Sequence, residues 1–395
     1  MLFHWLGELR RFPPVIYWEQ ALSRRAEPLG LTMKTAPLFR PANPAPPQPD
    51  ALNAMMGKVI TDLGAAANGA LVVLGDRLGL YRALAEAGPS SSADLATRTG
   101  LNERYVREWL ATQAASGYVD YDATEETFSM TPEQAAVFAD PDSPVAMAGG
   151  FYSVSSLYHD EPRVTDAFRT GAGIPWGDHH SCLFCGTERF FRPGYVANLV
   201  DHWITALDGV QEKLRTGAQV ADIGCGHGVS TIVMAKAFPN SQFIGFDMHE
   251  ASIKAARQHA ADEGVNNIRF EVAAAKTFPG KDYDFVTVFD ALHDMGDPAG
   301  MAAHVLECLK PDGTWMIVEP MAGDSLAENL NPVGRAFYAF STMICTPGSK
   351  SQEVGLALGA QAGERRLGEV VKQGGFTRFR RATETPVNLI LEARP

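Results

Sequence analysis

The sequence predicts an α/β protein: an open, doubly wound sheet in the second half of the chain, preceded by a smaller, mainly helical domain. Three observations carry this. Apolar Ala218, Val220, Ala221 and Ile223 run through Asp222-Ile-Gly-Cys-Gly-His-Gly228, and a helix-like stretch, Val229 to Ala237, follows. A second apolar run, Phe243 to Phe246, ends in Asp247, nineteen residues after Gly228. Strand, glycine turn, helix, strand and acid form the first half of a nucleotide-binding sheet. The third observation is that Ala51 to Asp142 is patterned as helices and then a hairpin.

The spacing of the turn discriminates between ligands. Gly224, Gly226 and Gly228 let the backbone pass close beneath a bulky group, because no Cβ obstructs it and positive φ costs little. A dinucleotide turn reads G-x-G-x-x-G, which would put its third glycine at Val229. Here the pattern is D-x-G-x-G-x-G. A carboxylate at Asp222 would repel a pyrophosphate but suits a cationic ligand bearing an ammonium and a sulfonium. Asp247 sits where a carboxylate can take both hydroxyls of a ribose. The stretch resembles motif I of the class I S-adenosylmethionine (SAM) methyltransferases. That resemblance implies a Rossmann-like, seven-stranded sheet, SAM as cofactor and S-adenosyl-L-homocysteine as product. It also places Met248 beside the cofactor.

At 395 residues, with 46% hydrophobic and 20% charged residues, the chain can hold two domains with separate cores. A net charge of −12 argues against a general nucleic-acid binder. Five cysteines, an odd number over a long chain, point to a reducing, cytoplasmic setting. No apolar run reads as a transmembrane span, so no membrane partner is expected. In residues 1–50, Glu8, Arg10 and Arg11 interrupt any signal-like apolar region, and Pro41, Pro44, Pro46, Pro47 and Pro49 favour an extended linker. This stretch is expected to be a flexible or peripheral extension, with Met33 or Met55 as alternative starts.

Residues 51–144 form the first folded domain. Helices are expected over 51–68 and 69–87, a third capped by the serines at 90–92, and a fourth, Glu103 to Ser116, capped by Asn102. Two short strands, Gly117–Tyr121 and Thr127–Met130, then alternate around a polar turn. Helix, turn, helix and hairpin make a winged helix. Residues 51–150 carry six basic against thirteen acidic side chains, a field unsuited to DNA phosphates. The arrangement is similar to the N-terminal domain of small-molecule O-methyltransferases, which implies a homodimer with this domain at the interface. A SAM-responsive transcriptional regulator and a non-catalytic methyltransferase-fold partner are the rival readings.

Residues 145–216 are expected to be a helical connector that covers the active site. His179-His180-Ser181-Cys182-Leu183-Phe184-Cys185 suggests a metal cluster, but a zinc site needs a second ligand pair and none follows, so no metal is expected. His179 and His180 are instead assigned to the substrate pocket. Phe191 and Tyr195, on the helix before the first sheet strand, are expected as cofactor or substrate walls.

Residues 217–395 complete the sheet. After the strand Ile268–Val272 the family often has an acid that takes the adenine amino group. Here Ala273, Ala274 and Ala275 follow, leaving the backbone near Ala274 and Ala275 for the adenine. The strand Tyr283–Phe289 leads into Asp290-Ala-Leu-His293-Asp-Met-Gly-Asp297, which resembles the Leu-His-Asp-Trp-Ser-Asp segment of plant-type O-methyltransferases. In that family the histidine is the general base, and imidazole chemistry suits removal of a hydroxyl proton. The resemblance further puts Glu319, at the end of Thr314–Val318, beside His293, and matches Glu364 loosely to a second family glutamate. Asp290 is expected near the cofactor. Tyr338 and Met343, within 331–352, are expected to line the acceptor pocket. The expected activity is SAM-dependent methyl transfer to a small molecule, at a hydroxyl oxygen.

Overall fold

The computed structural model describes residues 47–395. Most of the expected extension, residues 1–46, lies outside the described residues. The chain divides into two compact units, 1–57 and 58–395. Of the first, the described residues hold little more than the start of a helix that begins at Pro49. The second holds both folded domains.

The first helix, α1, is one 29-residue element, Pro49–Arg77, and α2 is Leu80–Ala87. The expected boundary near residue 68 is absent. Asn68 and Gly69 are buried in a continuous helix, and the break comes at Gly79, whose φ of +67° ends the α-helical run. By length and composition α1 could cross a bilayer, because alanines, leucines, valines and methionines interspersed with polar residues raise its average hydropathy. Its second half nevertheless packs within the domain, where the indole N–H of Trp109 donates to the Leu71 carbonyl (2.9 Å).

Helices α3 (Ser92–Thr99) and α4 (Glu103–Ala115) start where their caps predict. Ser91 and Asp94 form a reciprocal capping box, and the Asn102 side chain accepts from the Arg104 N–H. The wing is β1 (Asp120–Asp122) antiparallel to β2 (Thr127–Ser129), followed by α5 (Pro132–Phe138). Leu84, Leu95, Trp109 and Leu110 fill this domain's core.

The connector holds α6 (Ala148–Thr170), α7 (Cys182–Asn198) and α8 (Val210–Thr216). The sheet half then runs β3 (Gln219–Ile223), α9 (Val229–Ala237), β4 (Gln242–Asp247), α10 (Glu250–Asp262), β5 (Ile268–Val272) and β6 (Tyr283–Phe289). It continues through α11 (Pro298–Cys308), β7 (Leu309–Pro320), α12 (Pro332–Phe340), α13 (Thr346–Lys350), α14 (Gly363–Gln373), β8 (Arg378–Glu384) and β9 (Asn388–Arg394). Residues 310–313, polar and containing Pro311 and Gly313, belong to the long strand β7, which therefore starts before Thr314, with a register shift against β6 at Tyr283/Phe285.

Seven strands form one sheet in the order β5-β4-β3-β6-β7-β9-β8. The first five are parallel, and β9 is antiparallel to both β7 and β8. Alternating residues of each central strand feed two cores, one containing Ile223, Val288 and Ile317 and the other Val220, Phe285 and Met316. Helices on both faces are why these strands read as nearly continuous apolar runs. Chain order reverses between β3 and β6, and ligands of such sheets bind outside the carboxyl ends at that reversal.

Candidate active site

The strand order lays the expected residues out along one sheet edge. Ala274 follows β5, Asp247 ends β4, the glycine turn follows β3, Asp290 to His293 follow β6, and Glu319 lies near the end of β7. The topology therefore separates a glycine-and-Asp247 half from a His293-and-Glu319 half across the reversal.

In the first half, Gly224, Gly226 and Gly228 have φ of +70°, +52° and +81°. A Cβ on Gly228 would come within 2.6 Å of the Phe270 ring, whereas a Cβ on Gly226 would meet open space. The turn is thus packed from below at Gly228 and open above Gly226, a cradle for a ligand's bulk. Asp247 Oδ2 accepts from the Gly226 N–H (2.9 Å) and Oδ1 from the His249 N–H (2.8 Å). Burial raises the Asp247 pKa, with those two N–H groups opposing it. Met248 is 60% exposed, and Ala274 is exposed beyond β5.

Asp222 departs from the expectation that it meets the ligand. It is wholly buried, and its oxygens accept from Ser230 (2.8 Å), Thr231 (2.6 Å) and Thr287 (2.9 Å). Burial pushes its pKa up to about 6 against those three hydroxyls. Its carboxylate ties β3 to α9 and β6, fixing the turn from behind.

In the second half, the chain leaves β6 through Asp290, whose φ is +48°, into a single 3₁₀ turn, Leu292–Asp294. That turn aims His293 at β7. Nδ1 of His293 lies 2.7 Å from Glu319 Oε2, and Glu319 Oε1 accepts from the Leu292 N–H (2.9 Å). Glu319 therefore fixes both the ring and the backbone that carries it. Glu364 is elsewhere: it accepts from Arg381 Nε on β8 (2.7 Å). The second carboxylate at His293 is Asp294, its sequence neighbour, with Oδ1 3.2 Å from Nε2. Burial disfavours the charged ring, but Asp294 and Glu319 outweigh it and raise the His293 pKa well above the usual imidazole value.

Asp290 links the halves. Tyr195 Oη donates to its Oδ2 (2.8 Å) and Asn388 Nδ2 to its Oδ1 (2.9 Å). Burial, then the Glu319 charge, push Asp290 up to about 8. Phe191 stacks on Tyr195 with ring centroids 5.8 Å apart. Tyr338 and Met343 are half-buried on α12 and the helical turn after it. An apolar cluster of Phe337, Cys345 and Ala360, packed by Phe190, Val333 and Phe340, forms there as well.

His179 and His180 do not act as a pair. His179 is closed off, with Nδ1 2.8 Å from the buried Asp160. His180 stacks on His159 at 3.9 Å and accepts from the Cys182 N–H. Sequence reasoning missed the Glu188–His227 contact, Nδ1 to Oε2 at 2.7 Å, which fastens α7 to the glycine turn. Nothing in the sequence around Glu188 signals a partner 39 residues away. A cavity of about 510 Å³ opens away from the strand ends, between Asp76, Arg82, Phe138 and Arg189.

Comparison with known proteins agrees with the fold of both domains. Residues 214–371 match the methyltransferase-domain family, and residues 66–139 match the Rv2258c-like winged helix-turn-helix domain. The chain thus carries a class I methyltransferase domain behind a winged-helix domain. Among curated relatives is the ubiquinone biosynthesis O-methyltransferase of Leptothrix cholodnii, 30% identical over 135 residues, 33% of this chain and 54% of that one. The Bordetella parapertussis protein of that name is 36% identical over 134 residues, 33% of this chain and 52% of that one. The chain spans about half the length of these relatives. Human N-acetylserotonin methyltransferase, solved with SAM, shares the fold with a TM-score of 0.62 and 17% identity, over 86% of this chain and 97% of that one. PigF, solved with S-adenosylhomocysteine, gives 0.64 and 16% over 89% and 100%.

Proposed function

We propose that this chain is a SAM-dependent methyltransferase that methylates a hydroxyl oxygen of a small, largely apolar acceptor, with His293 as general base. The observation that carries the reading is His293, oriented by Glu319 across the sheet reversal from an open glycine cradle. The residues fit SAM: the backbone of Gly224 to Gly228 has room above Gly226, and the turn itself holds the Asp247 carboxylate that would take the ribose. Met248, Ala274 and Ala275 would flank the adenine, while Tyr195 and Asp290 would close the methionine end. When bound, SAM supplies an activated methyl on its sulfonium.

This chain's own work is to hold the acceptor oxygen in line, exclude water and take its proton at His293 Nε2. Glu319, on Nδ1, fixes the tautomer and stabilises the imidazolium that results. Proton removal of this kind contributes on the order of 10²–10⁴ in rate. Phe190 and Phe337 supply apolar walls for the acceptor, and the O-methyltransferase names of the relatives support oxygen as the nucleophile.

A regulator's DNA contact is disfavoured by α4, where Arg104 pairs with Glu108 and Arg107 with Glu103. We assign the apolar face of α1, which exposes Met55, Met56, Val59, Ile60 and Leu63, to a homodimer contact, checked by light scattering on the eluting protein. Five free thiols support a cytoplasmic location.

The test is a panel of phenols and other hydroxylated small molecules assayed for S-adenosylhomocysteine release. His293→Ala is expected to bind SAM normally in calorimetry and lose turnover by about two orders of magnitude or more. Undiminished turnover would remove His293 from its role, and no SAM binding by the wild type would sink the whole reading.

A further inference from the structure

Three donors converge beside the His293 nitrogen that Glu319 leaves free. A ring nitrogen of His293, a carboxylate oxygen of Asp294 and Sγ of Cys345 all lie within 4.8 Å of one another. The nitrogen facing Asp294 is Nε2. The donors come from separate elements, the turn after β6 and the helical turn Ser341–Cys345 after α12. Among the described residues this is the one grouping of three such side chains; His179, His180, Cys182 and Cys185 do not form another.

The chemistry of the set is specific. Thiolate, imidazole and carboxylate are the donor types of tetrahedral zinc, and three protein ligands leave one position open. Glu319 stands 2.7 Å behind Nδ1, the carboxylate–histidine arrangement that orients a metal-bound imidazole and raises its basicity. Asp294 Oδ1 is buried without a hydrogen-bond partner, although Nε2 is 3.2 Å away. Its polar neighbours are His293 Nε2 and the Cys345 thiol, and a cation held by all three would satisfy it. Cys345 is buried beside Phe337, so its thiol faces the same recess as the two other donors.

We propose that His293, Asp294 and Cys345 form a three-ligand site for a borderline divalent cation, best matched by Zn²⁺, with Glu319 orienting the histidine from behind. The binding rests on geometry alone. Its consequence rests on the base assignment: a metal on Nε2 occupies the lone pair that would accept the acceptor's proton, so loading inhibits methyl transfer.

The test uses full-length protein stripped by a chelator and titrated with Co²⁺, then with Zn²⁺ in competition with a chromophoric chelator. One equivalent of Co²⁺ should bind and give the near-ultraviolet thiolate-to-cobalt absorption. Cys345→Ser should abolish that band and weaken Zn²⁺ roughly tenfold or more. The double variant Cys182→Ser/Cys185→Ser should keep both. His293→Gln, a second variant should Cys345→Ser fold poorly by circular dichroism, should weaken Zn²⁺ to a similar extent. Absence of the band in the wild type, or its loss with Cys182 and Cys185 rather than Cys345, overturns the site. Stoichiometric Zn²⁺ binding without loss of turnover upholds the site and overturns its inhibitory role, and with it the base assignment.

Discussion

Asp294 Oδ1 stands 3.2 Å from Nε2 of His293, while Glu319 Oε2 stands 2.7 Å from Nδ1, so the imidazole is held between two carboxylates. This arrangement raises the pKa of His293 above its ordinary 6.5 despite the cost of burial. A base must be neutral to act. The activity should therefore rise with pH along a limb that lies above 6.5, not at it. Asp294→Asn removes one of the two charges, which should move the limb to lower pH by about one unit or more. The profile of kcat/KM against pH reads this directly, and a limb that stays in place would show that Asp294 does not set the ring's charge. The sign for stability is the opposite. A raised imidazole pKa contributes stability present below the unfolded value and lost as pH climbs through the folded one.

Asp247 offers a cofactor prediction of a different kind. Its two oxygens already hold the Gly226 and His249 N–H groups, so removing it loosens the turn as well as deleting the ribose acceptor. Asp247→Ala should lower SAM affinity by about 1.5–3 kcal/mol, the range for a hydrogen bond to a charged group. Calorimetric titration gives the number. Normal affinity would show that the ribose contact lies elsewhere.

The sheet was legible because strands buried on both faces write themselves as apolar runs, and because three glycines with an acid on either side leave few alternatives. Val229–Ala237 and Tyr283–Phe289 fall where the pattern puts them. Side-chain direction was less legible. Asp222 looked like a ligand contact, yet Ser230, Thr231 and Thr287 claim it, and nothing in the spacing reveals three hydroxyls converging from two elements. Asp294 was overlooked although it adjoins His293, since only the 3₁₀ turn brings adjacent side chains to one nitrogen. Glu364 failed as a match because its helix faces β8 and Arg381.

The Glu188–His227 contact predicts a link between the cover helix and the glycine turn. Burial raises the Glu188 carboxyl, but the His227 hydrogen bond and the charges of His259 and His227 bring it below its usual value. Glu188→Gln should weaken that attachment and raise the KM for SAM, with a smaller change in kcat. In a double-mutant cycle with His227→Asn, the coupling should be about 1 kcal/mol, as for a half-buried pair in contact. Additive effects would mean that the cover is held by α7's apolar contacts alone.

The connector's hold on the winged helix depends on an equally local arrangement. Arg189, on α7, donates two hydrogen bonds to Asp76 at the end of α1 (2.7 and 2.9 Å) and lies over the Tyr152 ring at 4.7 Å. Tyr152 donates to the same carboxylate (2.6 Å). Bidentate geometry and ring stacking are properties of a planar guanidinium that an ammonium does not share. Arg189→Lys should therefore behave as a loss and not as a conservative change. With Asp76 mostly buried and Arg189 about one-third exposed, the cost should be roughly 1–2 kcal/mol, well short of a deeply buried pair. Asp76→Asn should cost a similar amount, and the two changes combined less than their sum, because each breaks the same fork. Thermal unfolding of the three variants checks this. A lysine variant that melts with the wild type would show that the domains are joined by packing, with the fork contributing orientation alone.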